Sequence, residues 1–229
     1  MIHLKNVSKT YKNGVHALRN IDLQIEDGEF VYVIGPTGSG KSTLIKLLDG
    51  EEVPNEGQVI VNDINVGKLR HSRVPVYRRN IGVVFQDFRL LPKMTVFENI
   101  AFALEVLAMD KIEIRRRVRE VLDLVDLRDK AKAFPSELSG GQQQRATIGR
   151  AIANHPKVLI ADEPTGNLDP EKSKEIVELL EKINEVENTT IVMVTHDSDL
   201  VNTYKKRTIA LEEGCIVSDL MEGGYLKHD

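Results

Sequence analysis

Short runs of β-branched and apolar residues alternate along this chain with longer stretches whose apolar positions recur at helical spacing. Three β-rich runs come first, over 2–7, 17–25 and 29–34. The last contains Phe30-Val31-Tyr32-Val33-Ile34 and is nearly all apolar, as a strand covered on both faces must be. A glycine-rich turn leads into a helix predicted over 41–49, and further strands are predicted over 58–62 and 81–85. From about Lys93 to Asn154 the pattern turns helical. Thr95 and Glu98 form a capping box opening a helix to about Ala108, and a second helix runs from Lys111 to Val125. Strands return over 157–161, 189–195 and 207–211, with a helix from Pro170 to about Val186 between the first two. Strands alternating with helices predict an α/β fold with a largely parallel sheet. Residues of about 1–92 and 155–229 form its core, and a helical subdomain is inserted at about 93–154.

Composition narrows the class. With 41% hydrophobic and 29% charged residues, the 229-residue chain reads as an ordinary globular domain and not as disorder. Its 31 Lys and Arg against 35 Asp and Glu leave a net charge of −4, poor footing for nucleic-acid binding by bulk charge. A single cysteine, Cys215, excludes an internal disulfide and a multi-cysteine metal site. No apolar run approaches the ~20 residues that span a bilayer. Met1-Ile2-His3-Leu4-Lys5 lacks the regions of a signal peptide, and a cytosolic, soluble domain is expected.

The glycine-rich turn carries chemistry. Gly35-Pro36-Thr37-Gly38-Ser39-Gly40-Lys41-Ser42 fits G-x-x-x-x-G-K-[ST], followed by Thr43 at the start of the helix. Glycines let successive N–H groups point inward at phosphate oxygens, and the helix N-terminus adds partial positive charge. Lys41 then reaches the β- and γ-phosphates, while Ser42 ligates Mg²⁺. A second strand, Val158-Leu159-Ile160-Ala161, ends in Asp162 and Glu163. Beside a phosphate loop these carboxylates are expected to hold Mg²⁺ (Asp162) and to polarise the attacking water (Glu163).

Leu138-Ser139-Gly140-Gly141-Gln142 opens a helix running to about Ala153. Ser139 and Gln142 make a local capping box, but that leaves two first-turn glycines unexplained, each costing up to about 1 kcal/mol relative to alanine. Close approach of backbone to an anion explains them. With these residues the chain resembles the ABC ATPases, whose signature is L-S-G-G-Q. The resemblance implies a RecA-like P-loop core with an antiparallel β subdomain and an inserted helical subdomain. It also implies Mg-dependent hydrolysis of ATP to ADP and phosphate, with Gln86 sensing Mg²⁺ and the γ-phosphate and Tyr11 stacking on adenine. Gly166-Asn167-Leu168-Asp169 takes the D-loop place, Asp169 also capping the next helix, and His196 that of the switch histidine. In this family the signature of one protomer serves the nucleotide of the other, so a homodimer sandwiching two ATP molecules is implied.

The stretch 74–92, with 95–107 and 161–170, resembles the cell-division branch of the family, although Gln142 stands where that branch often has Glu. That branch implies an integral membrane partner, docked around Gln86–Leu91 with Val96 and Phe97, and an indirect link to peptidoglycan hydrolases. It places the chain at the cytoplasmic face of the membrane, at the division septum. Runner-up readings are an exporter or lipoprotein-release ATPase and, more remotely, a soluble ABC ATPase acting on ribosomes or DNA. Two basic stretches, Lys68 to Arg79 and Arg115-Arg116-Arg117 with Arg119, read by default as solvated faces, the first alternatively meeting anionic headgroups or the partner's tail.

Overall fold

The computed structural model describes residues 1–222. Two sheets organise it. The first is antiparallel, with order β2-β1-β4-β5: β1 (Ile2–Thr10), β2 (His16–Ile25), β4 (Glu56–Val61) and β5 (Ile64–Asn65). The second has order β10-β9-β3-β8-β7-β6, built from β3 (Phe30–Ile34), β6 (Ile81–Val84), β7 (Val158–Asp162), β8 (Thr190–Val194), β9 (Arg207–Glu212) and β10 (Cys215–Leu220). Its neighbours pair in parallel except for the β9–β10 hairpin.

Alternation of side chains along the central strands explains their nearly unbroken apolar character. On β3, Phe30, Tyr32 and Ile34 face one hydrophobic core while Val31 and Val33 face another. The pattern repeats on β7, with Leu159 and Ala161 opposite Val158 and Ile160, and on β8. The first core is closed by α3 (Val96–Glu105), α4 (Lys111–Leu124), α5 (Gly140–Ile152) and α6 (Pro170–Glu187). The second lies beneath α1 (Lys41–Leu48) and the antiparallel sheet. Two short helices, α2 (Val74–Arg78) and α7 (Ser198–Tyr204), precede β6 and follow β8 along the chain.

The basic run on α4 is not uniformly solvated. Arg117 is 7% exposed; its guanidinium donates to the carbonyls of Ile152 and Ala153, each at 2.9 Å, and to Glu187 at 2.7 Å. It thereby satisfies carbonyls at the C-terminal end of α5 and ties α4 to α6. Replacement Arg117→Ala takes the donor from the Ala153 carbonyl and leaves the buried Glu187 carboxylate with only His155 Nδ1 beside it at 3.1 Å, so urea unfolding is expected to show a loss of about 2 kcal/mol.

A nucleotide site at the carboxyl edge of the parallel sheet

Strands β3, β6, β7 and β8 run the same way, so their C-terminal ends share one edge of the sheet. That edge is where open α/β sheets present their ligand crevices. It carries Gly35 after β3, Gln86 after β6, Asp162 and Glu163 at the end of β7, and His196 after β8.

The turn from β3 to α1 is held open by glycine geometry. Gly35 has φ +146° and Gly40 φ +108°. A Cβ on Gly35 would lie 2.1 Å from the Leu211 carbonyl oxygen, and one on Gly40 2.5 Å from that of Ala17. Any side chain at either position would push the loop off β9 and β2. Gly40 also supplies no side chain to cap α1, so N–H groups in the helix's first turn stay available to an anion. Ser39 is 2% exposed and its Oγ has no hydrogen-bond partner among the described residues. An orphaned hydroxyl, an uncapped helix start and a glycine cradle together fit a phosphate ligand.

Lys41 folds over this loop, its Nζ donating to the carbonyls of Gly35 at 2.6 Å and Pro36 at 2.9 Å. Burial lowers its pKa, an effect that Glu163 and Asp162 oppose. Burial, then the adjacent Glu163 carboxylate, raises the pKa of Asp162, while Lys41 and Arg89 pull it down. A cavity of about 340 Å³ gathers Tyr11, Thr37, Gly38, Lys41, Ser42, Thr43, Asp162 and Glu163 on its walls. Tyr11 stands at one end, its hydroxyl 3.3 Å from Thr43 Oγ1, with Lys9 Nζ 5.3 Å from the ring centroid.

Glu163 occupies the left-handed region at φ +48°, an uncommon conformation for a residue with a side chain, just before Pro164. Its N–H donates to the Val194 carbonyl at 3.0 Å, locking the end of β7 to β8. Its Oε2 lies 2.9 Å from His196 Nδ1. His196 is therefore beside the carboxylate that faces the cavity. Glu163 and His196 also share a second, smaller cavity of about 170 Å³ with Thr165, Gly166 and Leu168.

Other residues singled out in the sequence sit elsewhere. Gln86 is exposed and does not line the larger cavity. A Cβ built on Gly166 would come 2.9 Å from Gln86 Nε2, and the Gln86 carbonyl accepts from Asn167 Nδ2 at 2.9 Å. The segment after Gln86 is pinned from α5, where Thr147 Oγ1 donates to the Phe88 carbonyl and Arg150 to that of Arg89. Arg89 lies 3.8 Å from the Phe85 ring centroid. Ser139 and Gln142 make a reciprocal cap at the start of α5, with Gly140 exposed and Gly141 packed on Lys172. None of Ser139–Gln142 lines the larger cavity. Asp169 caps α6, accepting from the Lys172 N–H at 3.0 Å.

The stretch expected to dock a partner is partly core: Val96 is 1% exposed, and Leu90 and Phe97 pack against the hydrophobic cluster. A separate apolar groove of about 380 Å³ runs between Pro75, Arg78 and Arg79, the edge strand residues Ile81 and Val83, and Phe102, Val106 and Arg150. Phe102 and Val106 are 41% and 52% exposed there. Helical periodicity alone hides them, because α3 carries apolar residues on more than one face.

The fold and this site define a nucleotide-hydrolysing P-loop domain, and the chain belongs to the ABC transporter family, whose family model matches residues 18–166. It is an ABC-type ATPase that binds ATP and ADP. The chain is 55% identical over 229 residues, covering 100% of both chains, to the cell division ATP-binding protein FtsE of Bacillus subtilis. It is 53% identical to the FtsE of Streptococcus pneumoniae D39, covering 98% of this chain and 97% of that one. Among solved structures it resembles a dimeric post-hydrolysis state of an ATP-binding cassette bound to ADP and Pi. That match has a TM-score of 0.86 and 40% identity, covering 98% of this chain and 100% of the other.

Asp162 illustrates the cost of assembling such a site. Two carboxylates are crowded at one strand end, so Asp162→Asn is expected to raise the urea midpoint of the nucleotide-free protein. The same change is expected to lower ATP hydrolysis by roughly 100-fold, because asparagine keeps an oxygen there but loses the negative charge that attracts a divalent cation. Parallel unfolding and phosphate-release assays check both signs.

Proposed function

We propose that this ATPase drives a cell-division complex, coupling its nucleotide cycle to an integral membrane partner resembling FtsX and through it to peptidoglycan hydrolysis. The observation that carries the reading is end-to-end similarity to cell-division ATP-binding proteins. Peripheral attachment at the cytoplasmic face of the septum follows from that role. No helix among the described residues is long and apolar enough to cross a membrane, so attachment needs a partner or a surface contact.

Within the site, Tyr11 stacks on the adenine, residues Gly35–Thr43 wrap the phosphates, and Lys41 exchanges its two carbonyl contacts for β- and γ-phosphate oxygens. Among the described residues no three His, Cys, Asp or Glu side chains cluster as a metal site. That suits Mg²⁺, which is held by few protein ligands and completed by substrate phosphates. Ser42 and Asp162, with Gln86 on closure, would hold it, and the ion supplies charge stabilisation for the transferring phosphoryl group. Glu163 accepts the proton of the attacking water, and His196 fixes the carboxylate's orientation while facing the γ-phosphate.

Ser139, Gly140, Gly141 and Gln142 lie off the cavity in their own chain, and we assign them to the nucleotide of a second copy. ATP then closes a homodimer through charge-assisted bonds of about 1.5–3 kcal/mol each, and hydrolysis opens it. Asp169 lies beside this interface through its loop. The membrane partner docks at the apolar groove beside Phe102 and Val106 and along Gln86–Leu91, the segment fastened to α5 by Thr147 and Arg150. Coupling requires only that the partner bind the open and closed dimers with different affinity.

Affinity capture from solubilised membranes with ATP-loaded Glu163→Gln tests this reading. It is expected to recover a membrane protein with few spans and a large extracellular region. A multi-span permease or a lipoprotein-release subunit would replace the cell-division role with transport.

A further inference from the structure

We propose that residues 68–79 bind the anionic headgroups of a phospholipid surface directly, without the membrane partner. Between Ile64 and Gln86 the sequence has no Asp or Glu, yet it carries Lys68, Arg70, Arg73, Arg78, Arg79 and His71 in a chain of net charge −4. The fold does not neutralise them. Of these, Arg78 alone approaches a carboxylate among the described residues, its Nη2 lying 4.0 Å from Asp49 Oδ1. Lys68, Arg70, Arg73 and Arg79 are exposed and make no ion pair there.

The segment is presented on a firm base. Tyr77, 3% exposed, is buried beneath α2 and donates its hydroxyl to the Leu48 carbonyl, while Arg78 Nε donates to the Asp49 carbonyl at 3.0 Å. The backbone is helical from Arg73 through Arg79, which places Arg73, Val76 and Arg79 at three-residue spacing on one face. Val76 is 46% exposed between the two arginines. Cations around a protruding apolar side chain suit the headgroup region, which accepts both. With Tyr77 buried, residues 68–79 themselves offer no exposed Phe, Tyr or Trp for stacking bases, which argues against nucleic acid. An acidic protein segment would need no exposed valine.

Position points the same way. Pro75, Arg78 and Arg79 also line the apolar groove, so the basic segment continues the face that the proposed function turns toward the membrane. That orientation rests on the proposed function, whereas headgroup binding does not. Vesicles without any protein therefore separate the two.

The test is flotation of the full chain with vesicles of phosphatidylglycerol and phosphatidylcholine, against vesicles of phosphatidylcholine alone. Partitioning is expected onto the anionic vesicles only, and raising the salt to about 0.5 M is expected to remove it. The triple variant Lys68→Ala, Arg70→Ala, Arg73→Ala spares the groove and the nucleotide site. It is expected to bind vesicles on the order of 100-fold more weakly while binding ATP as before. Equal partitioning onto neutral vesicles would overturn the proposal, as would a triple variant that floats like the unaltered protein. Binding to polyglutamate without binding to vesicles would also overturn it, assigning the surface to an acidic protein segment.

Discussion

Glu163→Gln is expected to lose hydrolysis by about 10²–10⁴-fold while keeping ATP affinity within a few-fold. The substitution removes the proposed proton acceptor and little else. Glutamine has the same length, its amide can still meet His196 Nδ1 where Oε2 now lies at 2.9 Å, and the backbone bond to Val194 is untouched. Relief of carboxylate crowding at Asp162 favours nucleotide binding. Single-turnover phosphate release, set beside equilibrium titration with ATP, separates the two quantities. Equal losses in both would make Glu163 a binding residue and leave the general base unassigned.

Lys41→Ala is expected to weaken ATP binding by 100-fold or more. Its ammonium is partly desolvated and held on two loop carbonyls at 2.6 and 2.9 Å, so it stands over the loop before a ligand arrives. Two charge-assisted bonds to phosphate oxygens at about 1.5 kcal/mol or more each account for the loss. ADP affinity should fall less, because the γ-phosphate contact is absent from both proteins. Calorimetric titration with each nucleotide gives the comparison. Full retention of ATP affinity would move the phosphate site away from the Gly35–Thr43 loop.

The parallel core was legible because β3, β7 and β8 bury side chains on both faces, which writes them as unbroken apolar runs. The phosphate loop was equally legible, since glycine at positions 35 and 40 answers a contact that no Cβ can tolerate. Elsewhere the pattern misled. Strand β1 continues to Thr10, past the predicted end near Val7, because Asn6 at φ +49° and register shifts break its alternation. The β10 edge strand was missed: Val217 and Leu220 are exposed and nothing periodic marks it. Helices α2 and α7 have five and seven residues, too few for a helical period to emerge.

Within the site, sequence spacing nominated candidate residues but not how they meet. The contact between Glu163 and His196 joins residues 33 apart and depends on β7 lying beside β8. Likewise, the anchoring of the Phe88–Arg89 segment by Thr147 and Arg150 is a product of tertiary packing. Arg117 shows the converse, a residue inside a charged run that the fold draws inward to close helix ends.

In the proposed dimer, Ser139–Gln142 of one copy complete the nucleotide site of the other. Light scattering on Glu163→Gln, with and without ATP and Mg²⁺, tests it most directly. A shift is expected from the 25.7 kDa chain mass to twice that mass on adding ATP, abolished when Ser139→Arg is introduced into the same protein. A protein that binds ATP, remains at the single-chain mass and hydrolyses normally once Glu163 is restored would contradict it.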